Sequence, residues 1–153
     1  MATLGHTYDN NLLMKDAGLV AADGAAQVSS AAKIIDLGGA HEVQGDVVID
    51  ITAIEIATGD EQYEIVLQGS SSSSFASGVA CLSSLRVGDG STIAAALGSG
   101  AAVDVDDTTG RFILPFRNER NGTVYRYLRL YTAVTGTIAT GINYTAYIAP
   151  KVL

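Results

Sequence analysis

The sequence has no tryptophan, a single cysteine and a small share of charged residues, 16%. Each shortage removes a class of explanation. One cysteine forbids an intramolecular disulfide, so the logic of small disulfide-stapled secreted scaffolds does not apply. That residue, Cys81, lies in the apolar run GVACLSSL (78–85), where a small buried hydrophobe is expected rather than a nucleophile. The missing tryptophan weakens the case for a carbohydrate-binding module, which would need an exposed flat aromatic platform. The start of the chain, MATLGHTYDNN, lacks the cationic and apolar regions of a secretory leader. The longest weakly polar stretch, 93–103, is far short of the ~20 residues a membrane span requires. The protein is expected to be soluble, made in the cytosol, and without a membrane partner.

Charge is scarce and unevenly placed. Residues 1–76 hold two lysines against eleven acids, whereas 77–153 hold six arginines and one lysine against five acids, for a net charge of −7 overall. An acidic chain with pI near 4.5 is a poor ligand for phosphate backbones, so no nucleic-acid partner is expected. Charged residues usually make up about 25% of a chain. Here they are fewer while hydrophobic content is an ordinary 48%, which suggests that partners cover part of the surface. At 153 residues the chain suits one domain large enough to need no metal or disulfide staple.

From residue 42 onward the pattern is that of strands. Val47, Ile49 and Ile51 alternate with Val48, Asp50 and Thr52, and Ile54 and Ile56 then continue on the other parity, which predicts a bulge near Ala53. Further strands are expected at 62–69, 79–87, 101–105, 111–116, 123–134 and 137–148. A five-serine loop, 70–74, separates the first two. Pro115 cannot donate to a ladder and predicts an edge strand or a local break. Asn121-Gly122 is a strong hairpin signal, and a change of phase at Tyr127 and Leu128 predicts a second bulge or a strand buried on both faces. With almost no helical periodicity after residue 40, the pattern predicts an all-β, single-domain, jelly-roll-like antiparallel β-sandwich over 41–153.

Residues 1–40 read differently. Their apolar islands, including Leu12, Leu13 and Met14, are scattered among Ala, Gly and Ser, and a short helix over 10–17 would end at Gly18. An extended N-terminal arm packing along a neighbour is expected, with the domain folding without 1–32; the bland alternative is a first strand with a loose tail.

No catalytic constellation emerges. His6 and His41 have no nucleophile motif around them, and there is no G-x-S-x-G elbow. The acids Asp104, Asp106 and Asp107 lack calcium-loop spacing and predict a polar turn, so no metal or cofactor is expected. Neither Asp50 with Glu55 nor Glu61 with Glu64 has an apolar setting that would suit a glycosidase pair. More informative are Arg111, Arg117, Arg120, Arg126 and Arg129, interleaved with Phe112, Phe116, Tyr125, Tyr127 and Tyr131. Arginine and tyrosine are enriched at protein interfaces. Arg111, Phe116, Arg117, Arg120, Arg126 and Arg129, with Leu12, Leu13 and Met14, are therefore the candidate interface residues. The competing reading pairs these arginines with the chain's own acidic half, and both readings stay open.

Several stretches together resemble the capsid cement (decoration) proteins of short-tailed bacteriophages: LLMKDAG from Leu12, KIIDLGG from Lys33, YEIVLQGS from Tyr63, FASG from Phe75, GRFILPFRNE from Gly110, YRYLRLY from Tyr125 and GTIATGINYTAY from Gly136. The resemblance implies a non-enzymatic jelly-roll protein on the outer capsid surface of a virion. It also implies the major capsid protein as partner and a homo-oligomeric state. The alternatives are another virion β-sandwich, such as a tail or fibre attachment module, and a carbohydrate-binding module.

Overall fold

The structure, a computed structural model, describes residues 9–89 and 109–150. A 3-10 turn at Asn10–Leu12 leads into six short strands: β1 (Leu13–Lys15), β2 (Leu19–Val20), β3 (Gly24–Ala25), β4 (Gln27–Val28), β5 (Ala31–Ala32) and β6 (Ile35–Asp36). The long strands follow: β7 (Gln44–Ile54), β8 (Gln62–Ser70), β9 (Ala80–Gly88) and β10 (Gly110–Arg117). After the ribbon β11 (Glu119–Arg120) and β12 (Thr123–Val124), the chain closes with β13 (Tyr127–Thr135) and β14 (Ile142–Pro150).

Two antiparallel sheets pack face to face. The β7 sheet runs β1-β14-β7-β10, with β2 also on β14; the β8 sheet runs β3-β13-β8-β9, with β6 also on β13. Between them lies one core. Val47, Ile49 and Ile51 of β7 and Tyr144, Ala146 and Ile148 of β14 face Tyr63, Ile65 and Leu67 of β8 and Leu128 and Leu130 of β13. The period of two seen in the sequence is the pleat that sends alternate side chains inward.

Local signals land where expected. The β7–β14 register passes from Ala53↔Asn143 to Ile51↔Tyr144 and skips Thr52. That bulge lies beside Ala53 and returns Ile54 to the inner face, against the core. Pro115 sits in β10, which pairs only with β7 among the described strands. Asn121 (φ 53°) and Gly122 (φ 79°) close the β11–β12 ribbon between the paired Arg120 and Thr123, a two-residue turn with both centres left-handed. The expected second bulge is instead a break: the chain leaves β12 at Val124 and starts β13 at Tyr127. The strand expected at 101–105 lies outside the described residues.

The N-terminal expectation is corrected for residues 9–40, which do not project as an arm. β1 and β2 extend the β7 sheet along β14, and β3 and β6 extend the β8 sheet along β13. Met14 is wholly buried in the core, Ile35 and Ala26 nearly so, and Leu12, Val20 and Leu37 pack against it. The islands are scattered because the segment crosses between two layers and leaves only a few residues on each. No helix forms over 10–17. Asp9 caps a single turn by accepting from the Asn11 amide, and Leu13 and Lys15 then join the ladder with β14.

Candidate protein-binding surfaces

One end of the sandwich is held by carboxylates. Glu61 is buried, and its side chain accepts hydrogen bonds from the amides of Thr58 (2.7 Å), Gly59 (2.9 Å) and Asp60 (3.1 Å). Burial by itself would raise its pKa, but these donors, Thr58 foremost, hold it down to about 2. Asp60 bonds the amide and hydroxyl of Thr137 and the hydroxyl of Thr58, and its pKa is lowered chiefly by the Thr137 amide. Glu55 accepts from the amides of Ala139, Thr140 and Gly141, with the Gly141 bond the main cause of its lowered pKa. These acids tie the 56–61 turn and the 136–141 loop to the strand ends. Their lone pairs are committed to backbone amides and threonine hydroxyls, which suits them to rigidity rather than proton transfer.

Lys15 is committed in the same way. Its buried ammonium donates to the carbonyls of Asp16 (2.9 Å), Gly18 (2.9 Å) and Tyr144 (3.1 Å) and lies 4.7 Å from the Tyr144 ring centroid. Burial lowers its pKa, with Asp16 opposing. It lines a cleft of about 480 Å³ formed mainly by residues 15–30, but its three donors are all engaged.

The candidate interface residues do not form one patch. Strand alternation points Phe112, Leu114 and Phe116 of β10 into the core and Arg111, Ile113 and Arg117 outward from the β7 sheet. In β13, Leu128 and Leu130 point inward, leaving Tyr127, Arg129 and Tyr131 on the opposite outer face. Phe116 and Met14 are core residues and are removed from the candidate set, because their side chains are buried within the chain itself. Leu12 packs against the same core, while Leu13 is half-buried opposite Tyr147 on the outside of the β7 sheet.

The arginines have found partners at home. Arg111 grips Asp50 through Nε and Nη2 (2.7 and 2.9 Å), and Arg126 holds Asp36 the same way (2.6 and 2.8 Å), with Asp36 held to about 2 mainly by that bond. Arg117 meets Glu42 at 2.8 Å. All three acids belong to the acidic first half, so for these residues internal pairing is the arrangement. Arg120 donates to the Cys81 carbonyl (2.9 Å), which lays the β11–β12 ribbon against β9. Arg129 donates through Nε to Gln68 (2.8 Å) and lies 4.3 Å from the Phe75 ring centroid and 5.6 Å from that of Tyr131.

Two residues escaped the sequence. Asn118 is wholly buried; its Nδ2 donates to the His41 and Tyr125 carbonyls, and its Oδ1 accepts from the Val43 amide. It locks the entry to β7 against the ribbon. No periodic pattern marks such a residue; the only signal is a polar side chain directly after a strand. Cys81 is exposed, not buried as expected. The β8–β9 register jumps from Leu67↔Ser83 to Gln68↔Cys81, which turns Leu82 toward the core and Cys81 outward.

His41 Nε2 lies 3.1 Å from the Leu37 carbonyl in an exposed loop. His6 and the Asp104–Asp107 acids lie outside the described residues. Among the described residues no group of three His, Cys, Asp or Glu side chains is disposed to hold a metal ion. No protein-family model matches the chain, and neither does any curated protein sequence.

Proposed function

We propose that the protein is a structural virion component that binds the outside of a phage capsid shell and stabilises it, without catalysing a reaction. The observation that carries this reading is how the ionisable groups are used. Glu55, Asp60 and Glu61 clamp loops, Asp36, Asp50 and Glu42 hold arginines, and Lys15 caps carbonyls. The polar chemistry of the described residues rigidifies a sandwich, and a rigid body with low surface charge is what a shell-clamping protein requires. The resemblance to capsid cement proteins points the same way. So does the strand order. Numbered one to eight along the chain, β1, β3, β7, β8, β9, β10, β13 and β14 lie in the orders 1-8-3-6 and 2-7-4-5, which we take as a jelly roll.

Stabilisation would follow from linkage: a protein that binds only the intact shell lowers its free energy relative to a ruptured one. The carbohydrate-binding alternative is less well supported, because the outward tyrosines Tyr127 and Tyr131 are half-buried beneath Arg126 and Arg129. The test mixes purified protein with empty shells assembled from the major capsid protein of the same virus. Co-sedimentation in amounts stoichiometric with the shell protein, with a raised shell rupture temperature, is the expected result. A protein that stays in the supernatant, or is found in purified virions only at tail-like copy number, overturns the reading.

A further inference from the structure

Four described arginines meet a carboxylate: Arg86 with Glu64, Arg111 with Asp50, Arg117 with Glu42 and Arg126 with Asp36. The other two, Arg120 and Arg129, meet only neutral oxygens among the described residues, the Cys81 carbonyl and Gln68 Oε1. These two exceptions are neighbours. Arg129 pairs across the ladder with Gln68, Gln68 pairs with Cys81, and Arg120 bonds that cysteine's carbonyl. Two strand spacings of about 4.8 Å put the Arg129 and Cys81 backbones about 10 Å apart.

Arg129 is also pre-organised. Phe75, held in the serine loop at φ 50° and itself 6% exposed, supports its guanidinium plane, and Tyr131 flanks it. Nε is engaged with Gln68, and among the described residues the two terminal amino groups donate to no other group. A fixed planar fork loses little entropy when it takes a carboxylate end-on, and aromatic neighbours lower the local dielectric. From this we infer that the outer face of the β8 sheet around Arg129, together with Arg120 where the ribbon meets β9, is the docking surface for an Asp- or Glu-bearing loop of a partner protein. Charge complementarity selects that occupant. Among the described residues neither cation has a carboxylate partner, and on a chain of net charge −7 a short acidic segment is accommodated where a long polyanion such as nucleic acid is repelled. Placing that loop on the capsid protein rests on the function proposed above; the surface itself does not.

The test uses the full chain and two double variants, R120Q/R129Q and, on the opposite face, R111Q/R117Q. Shell binding is expected to weaken about tenfold or more in the first and less than about twofold in the second, with R129K intermediate because it keeps charge but loses the fork. Hexaglutamate peptide should shift the Arg129 Nε–Hε resonance of the wild-type protein, while hexaserine leaves it in place. That measurement stands even if R120Q/R129Q fails to fold. Undiminished shell binding by a folded R120Q/R129Q overturns the surface and leaves the function standing. A wild-type protein that ignores shells yet binds hexaglutamate through Arg129 overturns the function and leaves the surface standing. Two further results overturn the inference: inorganic phosphate shifting the resonance as strongly as the peptide, or sedimentation showing that R120Q/R129Q dissolves a homo-oligomer.

Discussion

Replacing Asn118 with alanine removes three side-chain hydrogen bonds at once: Nδ2 to the His41 carbonyl (2.8 Å), Nδ2 to the Tyr125 carbonyl (2.9 Å) and the Val43 amide to Oδ1 (2.7 Å). The backbone bonds from Asn118 N to the Val43 carbonyl and from Tyr125 N to the Asn118 carbonyl survive, so the loss belongs to the side chain alone. A typical intramolecular hydrogen bond contributes ~1 kcal/mol net, and a partner left dry costs ~1–3 kcal/mol. Asn118 is wholly buried while Val43 and Tyr125 are half-buried and His41 is exposed, so the total is about 3 kcal/mol, with ~5 as an upper figure. For a domain this size ~1 kcal/mol moves Tm by ~2–4 °C, so a fall of roughly 6–12 °C is expected in a thermal melt followed by circular dichroism. The control is Arg117→Ala. It removes an ion pair whose side chains are 50% and 53% exposed and is expected to move Tm by less than ~3 °C. Asn118→Asp should be worse than alanine at neutral pH, since it aims a carboxylate at two carbonyls. It should recover in part as the pH falls toward ~4, because burial against two carbonyls favours the protonated acid, which regains a donor. Equal small shifts for N118A and R117A would refute the reasoning, because they would mean that water replaces the buried amide without loss.

Acid should loosen the clamped end. Glu55, Asp60 and Glu61 all have folded pKa values below their ordinary ones, so their contribution is present above the ordinary carboxylate range and is lost as pH falls through it, for Glu61 from 4.5 toward about 2. A urea midpoint that is flat between pH 5 and pH 2.5, against this expected decline, would sink the assignment. Gly141→Ala should destabilise far more than Gly122→Ala: both have positive φ, but a Cβ at 141 collides with the Val20 carbonyl while one at 122 meets open space. Chemical denaturation measures the difference, and equal effects would contradict the packing described. Met14→Ala should cost about 2–5 kcal/mol, and deletion of 1–32 should abolish cooperative melting, since it strips strands from both sheets. A truncated chain that melts like the intact one would restore the arm.

Legibility followed the range of the signal. β7, β8 and the Asn121-Gly122 turn were readable because alternation and positive φ act over a few adjacent residues. The missing amide of Pro115 pointed to an edge strand or a break, and among the described strands β10 pairs only with β7. Residues 9–40 were not readable, because strands of two or three residues are too short to show a period. What makes β1, β2, β3 and β6 strands is pairing with β13 and β14, about ninety residues or more away. Cys81 was misjudged for a related reason. Its apolar neighbours suggested burial, but a one-residue register jump decides which of Cys81 and Leu82 faces inward, and that jump depends on β8.

The arginine-aromatic segment shows how proximity in sequence can mislead about surfaces. Arg111 and Arg129 are eighteen positions apart, yet they project from opposite faces of the sandwich, because the chain passes from the β7 sheet to the β8 sheet between them. A single flat partner cannot cover both. Composition alone would weight the five arginines equally, whereas the fold divides them by what stands opposite. On β10 the cross-strand neighbour of Arg111 is Asp50, so that charge is neutralised before any partner arrives. On β13 the neighbour of Arg129 is Gln68, an amide that orients the guanidinium without cancelling it. Register therefore decides which cations remain to attract a partner. The position to compare is 68: Gln68→Glu would supply the missing carboxylate internally, and should silence Arg129 as a docking group while leaving its stacking on Phe75 intact.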